Sequence, residues 1–169
     1  MKFLNYIFTI AAAFGISLAA SAQTTADFVK RFERFRATTY TCAGGKKTIG
    51  YGFTEASVVA KGRITKTEAD KELTRLCNSI AAKVRSEIAK GKGKPLTAKE
   101  ETAIVSFVYN VGWHNFKRST LLRLLKQGKR GAVIGAELRK WKYVTANGRK
   151  TVCKGLERRR NAEAAMFGA

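Results

Sequence analysis

Acidic side chains are scarce in this chain, 12 against 33 lysines and arginines, so a carboxylate set among aromatics is the natural place to look for chemistry. Glu33 is such a residue. Phe32 and Phe35 flank it, and every other charge in its segment is basic except Asp27. Burial against rings favours the protonated carboxyl that an acid catalyst requires, while Arg34 and nearby cations favour the carboxylate. The residues leave that balance open. Alone, a helical Glu is most often a surface residue. Two further reactive groups follow at short range: eight residues separate Glu33 from Cys42, and five separate Cys42 from Thr48. A carboxylic acid that protonates a leaving oxygen, with a second group that delivers water or attacks directly, is the minimum for hydrolytic displacement.

These groups must be positioned by the elements around them. Phe28, Phe32 and Phe35 recur at helical spacing, and Glu33 lies beside that stripe near the predicted helix end. Thr38 to Cys42 is β-branched and aromatic and predicts a strand. The residues from Ala43 to Lys46 make a turn, and Thr48 to Phe53 predicts the returning strand. A small hairpin therefore follows the Glu33 helix. Downstream, Thr65 with Glu68 and Thr97 with Glu100 have capping-box spacing and start two helices. The first carries Ala69, Leu73, Leu76, Ile80, Val84 and Ile88 to about Lys90; the second stops at Gly112. Leu121 to Leu125 fill a helix ending at Gly128. Further helices are predicted over Ala132–Tyr143 and Leu156–Phe167, with Asn147-Gly148 turning between them. The predicted fold class is α+β, mostly α: two lobes, a small N-terminal β-hairpin lobe and a helical C-terminal lobe.

Length and composition set the frame. A chain of 169 residues with 45% hydrophobic residues suits one packed domain after a leader is removed. Lys2, an apolar run from Phe3 to about Ala20, and Ala20-Ser21-Ala22 before Gln23 have the layout of a signal peptide. Residues 1–22 are read as that leader, residues 23–169 as the domain, and the product as exported, to the periplasm or beyond. A releasable membrane anchor is the alternative for the same segment; no stable span is expected after processing. The net charge of +21 points to polyanionic partners and to no reaction. Cys42, Cys77 and Cys153 have no C-x-x-C or His-rich setting, so no metal is expected. If Cys42 serves a site, Cys77 and Cys153 are the natural disulfide pair.

The spacing Glu33, Cys42, Thr48 resembles the E-x8-(D/C)-x5-T pattern of phage-type lysozymes. Tyr40-Thr41-Cys42-Ala43-Gly44 and Thr48-Ile49-Gly50-Tyr51-Gly52 are similar to that family's Y-x-C-P-A-G and T-I-G-Y-G segments. Ser106 to Gly112 resembles S-F-x-[FY]-N-x-G, and Ser119 to Leu122 resembles S-T-L-L. Gly155 to Arg160, with Glu163, resembles the closing G-L-x-x-R-R-x-x-E. The matches run in order over nearly the whole predicted mature chain. The resemblance implies a lysozyme-like α+β domain that hydrolyses the β-1,4 bond between N-acetylmuramic acid and N-acetylglucosamine in peptidoglycan. It needs no cofactor and acts as a monomer. It implies Glu33 as general acid, Thr48 holding the attacking water, and Cys42 as base or nucleophile. A thiol of ordinary pKa ~8.5 is a poor base at neutral pH but a good nucleophile once ionised. Cys42 as a small buried apolar residue is the bland alternative. The resemblance also implies that one arginine of the closing segment, Arg158 or Arg159, pairs with Glu33 across the cleft.

Two positions depart from the family. Arg34 stands where Gly usually follows the catalytic Glu, and Phe53 stands where His usually follows T-I-G-x-G. In some members that His pairs with an acid on the long helix; the matching position here falls near Leu76, so an apolar contact is expected instead. His114, the single histidine, reads as a loop residue without catalytic partners. Two rival classes remain: a wall-binding module without activity, and a charge-driven nucleic-acid binder. Specific nucleic-acid binding is not expected, since no aromatic-interleaved basic motif is present and the chain carries an export signal.

Overall fold

The computed structural model describes residues 25–42, 45–146 and 148–169, and the predicted leader, residues 1–22, lies outside them. The first helix, α1, covers 25–30 and closes through a turn in which the Arg31 and Phe32 amides donate to the carbonyls of Phe28 and Val29. Glu33 therefore lies past the helix end, in the link to β1, rather than on the helix. The predicted stripe splits accordingly. Phe28 and Phe32 meet edge to face, but Phe35 packs on Tyr51 of the following lobe, with centroids 5.5 Å apart.

Strands β1 (Arg36–Thr41) and β2 (Lys47–Gly50) pair antiparallel, Tyr40 opposite Thr48 and Thr41 opposite Lys47. The returning strand ends three residues earlier than the sequence suggests. Gly50 turns left-handed at φ +65° and Gly52 at φ +99°, and Phe53 folds back to bridge Ile49. Only glycine fits at 50, because a Cβ there would lie 2.5 Å from the Phe53 ring.

A short helix, α2 (Ala56–Val59), leads to α3 (Lys66–Ala89) and then α4 (Ala98–Val111). Both long helices start with complete capping boxes, Thr65 with Glu68 and Thr97 with Glu100, and Gly112 at φ +85° ends α4. Helices α5 (Trp113–Lys117), α6 (Thr120–Lys126), α7 (Ala132–Arg139) and α8 (Lys154–Ala165) complete the helical set. His114 belongs to α5 rather than to a loop.

The segment between α7 and α8 departs from expectation. The helix ends at Arg139, and Tyr143–Ala146 (β3) pairs with Arg149–Val152 (β4) as a second hairpin. The run Tyr-Val-Thr before the turn and Lys-Thr-Val after it are β-formers, and Gly148 at φ +71° supplies the turn. α8 then begins at Lys154, two residues before the predicted start.

Two apolar clusters make the two lobes. Val29, Ile49, Tyr51, Phe53, Leu73 and Cys77 form one; Val84, Ile88, Phe107, Phe116, Leu125 and Leu138 belong to the other. α3 buries its first half in one cluster and its second half in the other. α4 divides similarly, Val105 facing the small lobe and Ile104 and Phe107 the large one. Phe53 is buried, and Leu76 packs against the same small-lobe cluster. The expected Cys77–Cys153 disulfide is not formed. Cys77 is buried in the small-lobe cluster, where burial pushes its thiol up to about 12, while Cys153 is half-buried at the N-cap position of α8, its thiol making no capping hydrogen bond.

Candidate active site

Glu33 is held from the opposite lobe. Its Oε1 accepts a 2.5 Å hydrogen bond from Nη1 of Arg159 on α8, 126 residues away in sequence. The carboxylate is 22% exposed and the arginine 3%, so the acid is reachable from the surface while its partner is not. Arg158 is exposed; of the two candidate arginines, the structure selects Arg159. Phe32 lies under the guanidinium, with Cζ 5.3 Å from the ring centroid.

The rest of the guanidinium is anchored to α4 and α8. Arg159 Nε donates to Ser106 Oγ at 3.2 Å and Glu163 Oε1 at 3.3 Å, and Nη2 donates to the Ser106 carbonyl at 3.0 Å. Ser106 in turn donates to Glu163 Oε1 at 2.7 Å. Arg160 lies 3.0 Å from Glu163 Oε2 through Nε and donates from Nη2 to Asn110 Oδ1 at 2.9 Å. Arg160 and Glu163 are fully buried. Burial raises the Glu163 carboxyl, opposed by Arg160 and the Ser106 hydrogen bond, and burial lowers Arg160 to about 10. Ser106 and Asn110 are four apart on α4, as Arg159 and Glu163 are on α8, so each pair shares a helix face. Sequence reasoning quoted both motifs but did not foresee that they close on each other, and Ser106, Asn110, Arg160 and Glu163 went unassigned. Their helical spacing was the available signal.

The turn that follows β2 walls the other side of Glu33. Tyr109 donates from its hydroxyl to the Tyr51 carbonyl at 2.9 Å, and Tyr51 donates to Asp70 Oδ1 at 2.9 Å. Tyr109 is held above its ordinary range by burial first and by the Glu33 charge second. A Cβ on Gly52 would come within 3.8 Å of Glu33 Oε2, so the turn lies directly against the carboxylate.

Cys42 and Thr48 come together at the Lys46 carbonyl. The Cys42 amide donates to it at 2.9 Å and the Thr48 hydroxyl at 3.1 Å. Thr48 is buried and Cys42 half-buried. With its proton committed to Lys46, the Thr48 oxygen is left as an acceptor, the polarity needed to hold a water by one of its hydrogens. His114 is exposed on α5, within 3.4 Å of Arg118 and outside this constellation. Among the described residues no group of three or more His, Cys, Asp or Glu could hold a metal ion.

Comparison with known proteins identifies the family. The family model described as phage lysozyme matches residues 30–163. An endolysin of Acyrthosiphon pisum secondary endosymbiont phage 1 is 35% identical over 139 residues, covering 82% of this chain and 91% of that one. A SAR-endolysin of bacteriophage PS119 is 35% identical over 125 residues, covering 70% of this chain and 66% of that one. Among solved structures, the muramidase domain of SpmX from Asticaccaulis excentricus superposes with a TM-score of 0.74 at 30% identity, covering 85% of this chain and 94% of that domain. A single carboxylate clamped across two lobes by a buried arginine, and a family match that spans both lobes, lead to one assignment: this chain belongs to the phage lysozyme family.

Proposed function

We propose that the chain is a muramidase that hydrolyses the β-1,4 bond between N-acetylmuramic acid and N-acetylglucosamine in peptidoglycan, breaking down the wall and lysing the cell. The observation that carries the reading is the Glu33–Arg159 pair, which places an accessible acid at the junction of the two lobes. Glu33 gives its proton to the glycosidic oxygen as the bond to the anomeric carbon breaks. A water held through Thr48 attacks that carbon, and Cys42, as thiolate, takes the proton the water releases. The acceptor character of Thr48 supports water as the attacking group. Arg159 orients Glu33 and does not touch substrate. No cofactor is needed for these steps.

The leader reading belongs here too. Residues 1–22 export the enzyme, with cleavage after Ala22 favoured by the Ala-Ser-Ala pattern. Relatives named SAR-endolysins support an exported or membrane-released enzyme. No helix of the described residues is long and apolar enough to cross a membrane. N-terminal sequencing of the mature protein distinguishes a cleaved leader from a retained tether.

The direct test is clearing of a peptidoglycan suspension by wild type and by Glu33→Gln. Wild type clears it and the variant does not; a wild type without activity refutes the enzyme reading and leaves a wall-binding module. The anomer of the first product, read by NMR, tests the water route. Inversion supports water attack, and retention overturns it in favour of a double displacement, with loss of activity in Cys42→Ser then testing the thiol as nucleophile.

A further inference from the structure

Away from the Glu33 junction, the end of α3 and helices α5 and α6 enclose a cleft of about 820 Å³. Its walls carry Lys90, Lys92, Lys117, Arg118, Arg123 and Lys126, against one carboxylate, Glu87. Glu87 is already taken: Lys90 and Lys117 reach its Oε1 at 2.6 and 2.9 Å. Among the described residues, none of the ion pairs includes Lys92, Arg118, Arg123 or Lys126. Four uncompensated cations thus face one concavity, where low-dielectric walls focus the field more than a convex basic surface does.

The cleft is also built rather than loosely assembled. The Lys92 amide donates to the Lys126 carbonyl at 2.8 Å, and a Cβ on Gly91 would sit 2.5 Å from that same oxygen. The segment 91–93 is therefore seated directly on the end of α6, and the backbone that carries Lys90 and Lys92 is fixed relative to Arg123 and Lys126. Two arginine forks and two lysine ammonium groups suit phosphate oxygens, the forks by paired hydrogen bonds and the lysines as point charges.

We propose that this cleft binds the phosphate groups of a linear phosphodiester polymer in the bacterial envelope and holds the enzyme on the wall it cuts. The identity of the polymer as an envelope component rests on the muramidase reading; phosphate binding itself does not. The cleft lies on the large lobe, so docking there leaves the Glu33 junction open for glycan.

The test uses the full-length mature protein and long-chain inorganic polyphosphate as probe, with affinity measured across a salt series. The cleft variant carries Lys92→Gln, Arg118→Gln, Arg123→Gln and Lys126→Gln. A control of equal charge loss carries Lys66→Gln, Lys71→Gln, Lys99→Gln and Lys154→Gln, all exposed. Melting curves check that both fold, and Arg123→Gln alone serves if the cleft variant does not. The cleft variant is expected to lose about tenfold or more in affinity and to flatten the salt dependence, because fewer counterions are released. The control is expected to lose about twofold or less by the same argument. Equal losses would mean that net charge alone binds, and would overturn the proposal, as would a wild type that fails to bind. The second arm is sedimentation with walls before and after hydrofluoric acid removes their phosphodiester polymers. Wild type is retained on intact walls and released from stripped ones, whereas the cleft variant behaves alike on both. Retention unchanged by stripping, with duplex DNA bound as tightly as polyphosphate, would overturn the proposal in favour of nucleic acid. Cleavage of stripped peptidoglycan is scored separately, so failure of the muramidase reading is distinguishable from failure of the cleft.

Discussion

Replacing Arg159 by lysine keeps the charge and removes the fork, and so isolates what the fork does. The guanidinium spans three anchors: Nη1 on Glu33, Nη2 on the Ser106 carbonyl, and Nε on Ser106 Oγ and Glu163. One ammonium cannot reach all three. Held at Glu163, it abandons Glu33; held at Glu33, it gives up Ser106 and Glu163, although the Ser106 carbonyl keeps its helical partner within α4. Hydrogen bonds to charged groups contribute about 1.5–3 kcal/mol. Glu33 is 22% exposed, so water replaces part of its loss, and Glu163 keeps Ser106 and Arg160. The net cost works out at about 1–3 kcal/mol on that scale. For a domain of this size that lowers Tm by about 2–12 °C. Loss of the clamp also displaces the acid, and a misplacement of about 1 Å costs on the order of a hundredfold in rate. The assay is a thermal melt followed by peptidoglycan clearing well below the variant's Tm. A lysine variant with wild-type Tm and wild-type clearing would refute the reasoning.

Three further outcomes follow from particular contacts. In the native protein a thiol reagent should titrate the half-buried Cys42 and Cys153 promptly and Cys77 only after denaturation, since burial holds that thiol up near 12; a single reactive thiol after denaturation would reveal a disulfide. Thr65→Ala and Thr97→Ala each remove a cap from a helix shared by both lobes, at about 1 kcal/mol apiece, which a melt should read as roughly 2–4 °C. Glu87 is lowered to about 2 by Lys90 and then Lys117. A depressed folded value means its stabilisation is full above the unfolded value and fades as pH falls towards 2. Urea midpoints of Glu87→Gln should accordingly be flatter than wild type between pH 4.5 and about 2, and parallel curves would count against the ion pairs.

Local structure was legible in the residues because it is decided by near neighbours. Capping boxes at Thr65 and Thr97, the hairpin turn before Thr48 and the stop at Gly112 each depend on groups within a few positions of one another. Where a segment's own chemistry competed, the reading slipped. The Tyr143–Val152 hairpin lies where the residues predict only a helix end at Tyr143 and a connecting turn, although its β-branched residues and Gly148 carry the strand signal. Pairing of Cys77 with Cys153 followed from counting thiols, and counting says nothing about which lobe buries each one.

The sequence by itself determined the candidates: an acid at 33, a thiol at 42, a hydroxyl at 48, and an arginine near 159 waiting at the far end of the chain. It determined their spacing and the family they resemble. Only the tertiary structure decided which arginine meets Glu33, that Ser106 and Glu163 lock it, that the Gly52 turn lies against the carboxylate, and that Cys42 and Thr48 share the Lys46 carbonyl. The physical reason is range. Caps and turns are set by contacts a few residues apart, whereas the clamp on Glu33 exists only because α3 and α4, each buried in both apolar clusters, hold the two lobes at one distance.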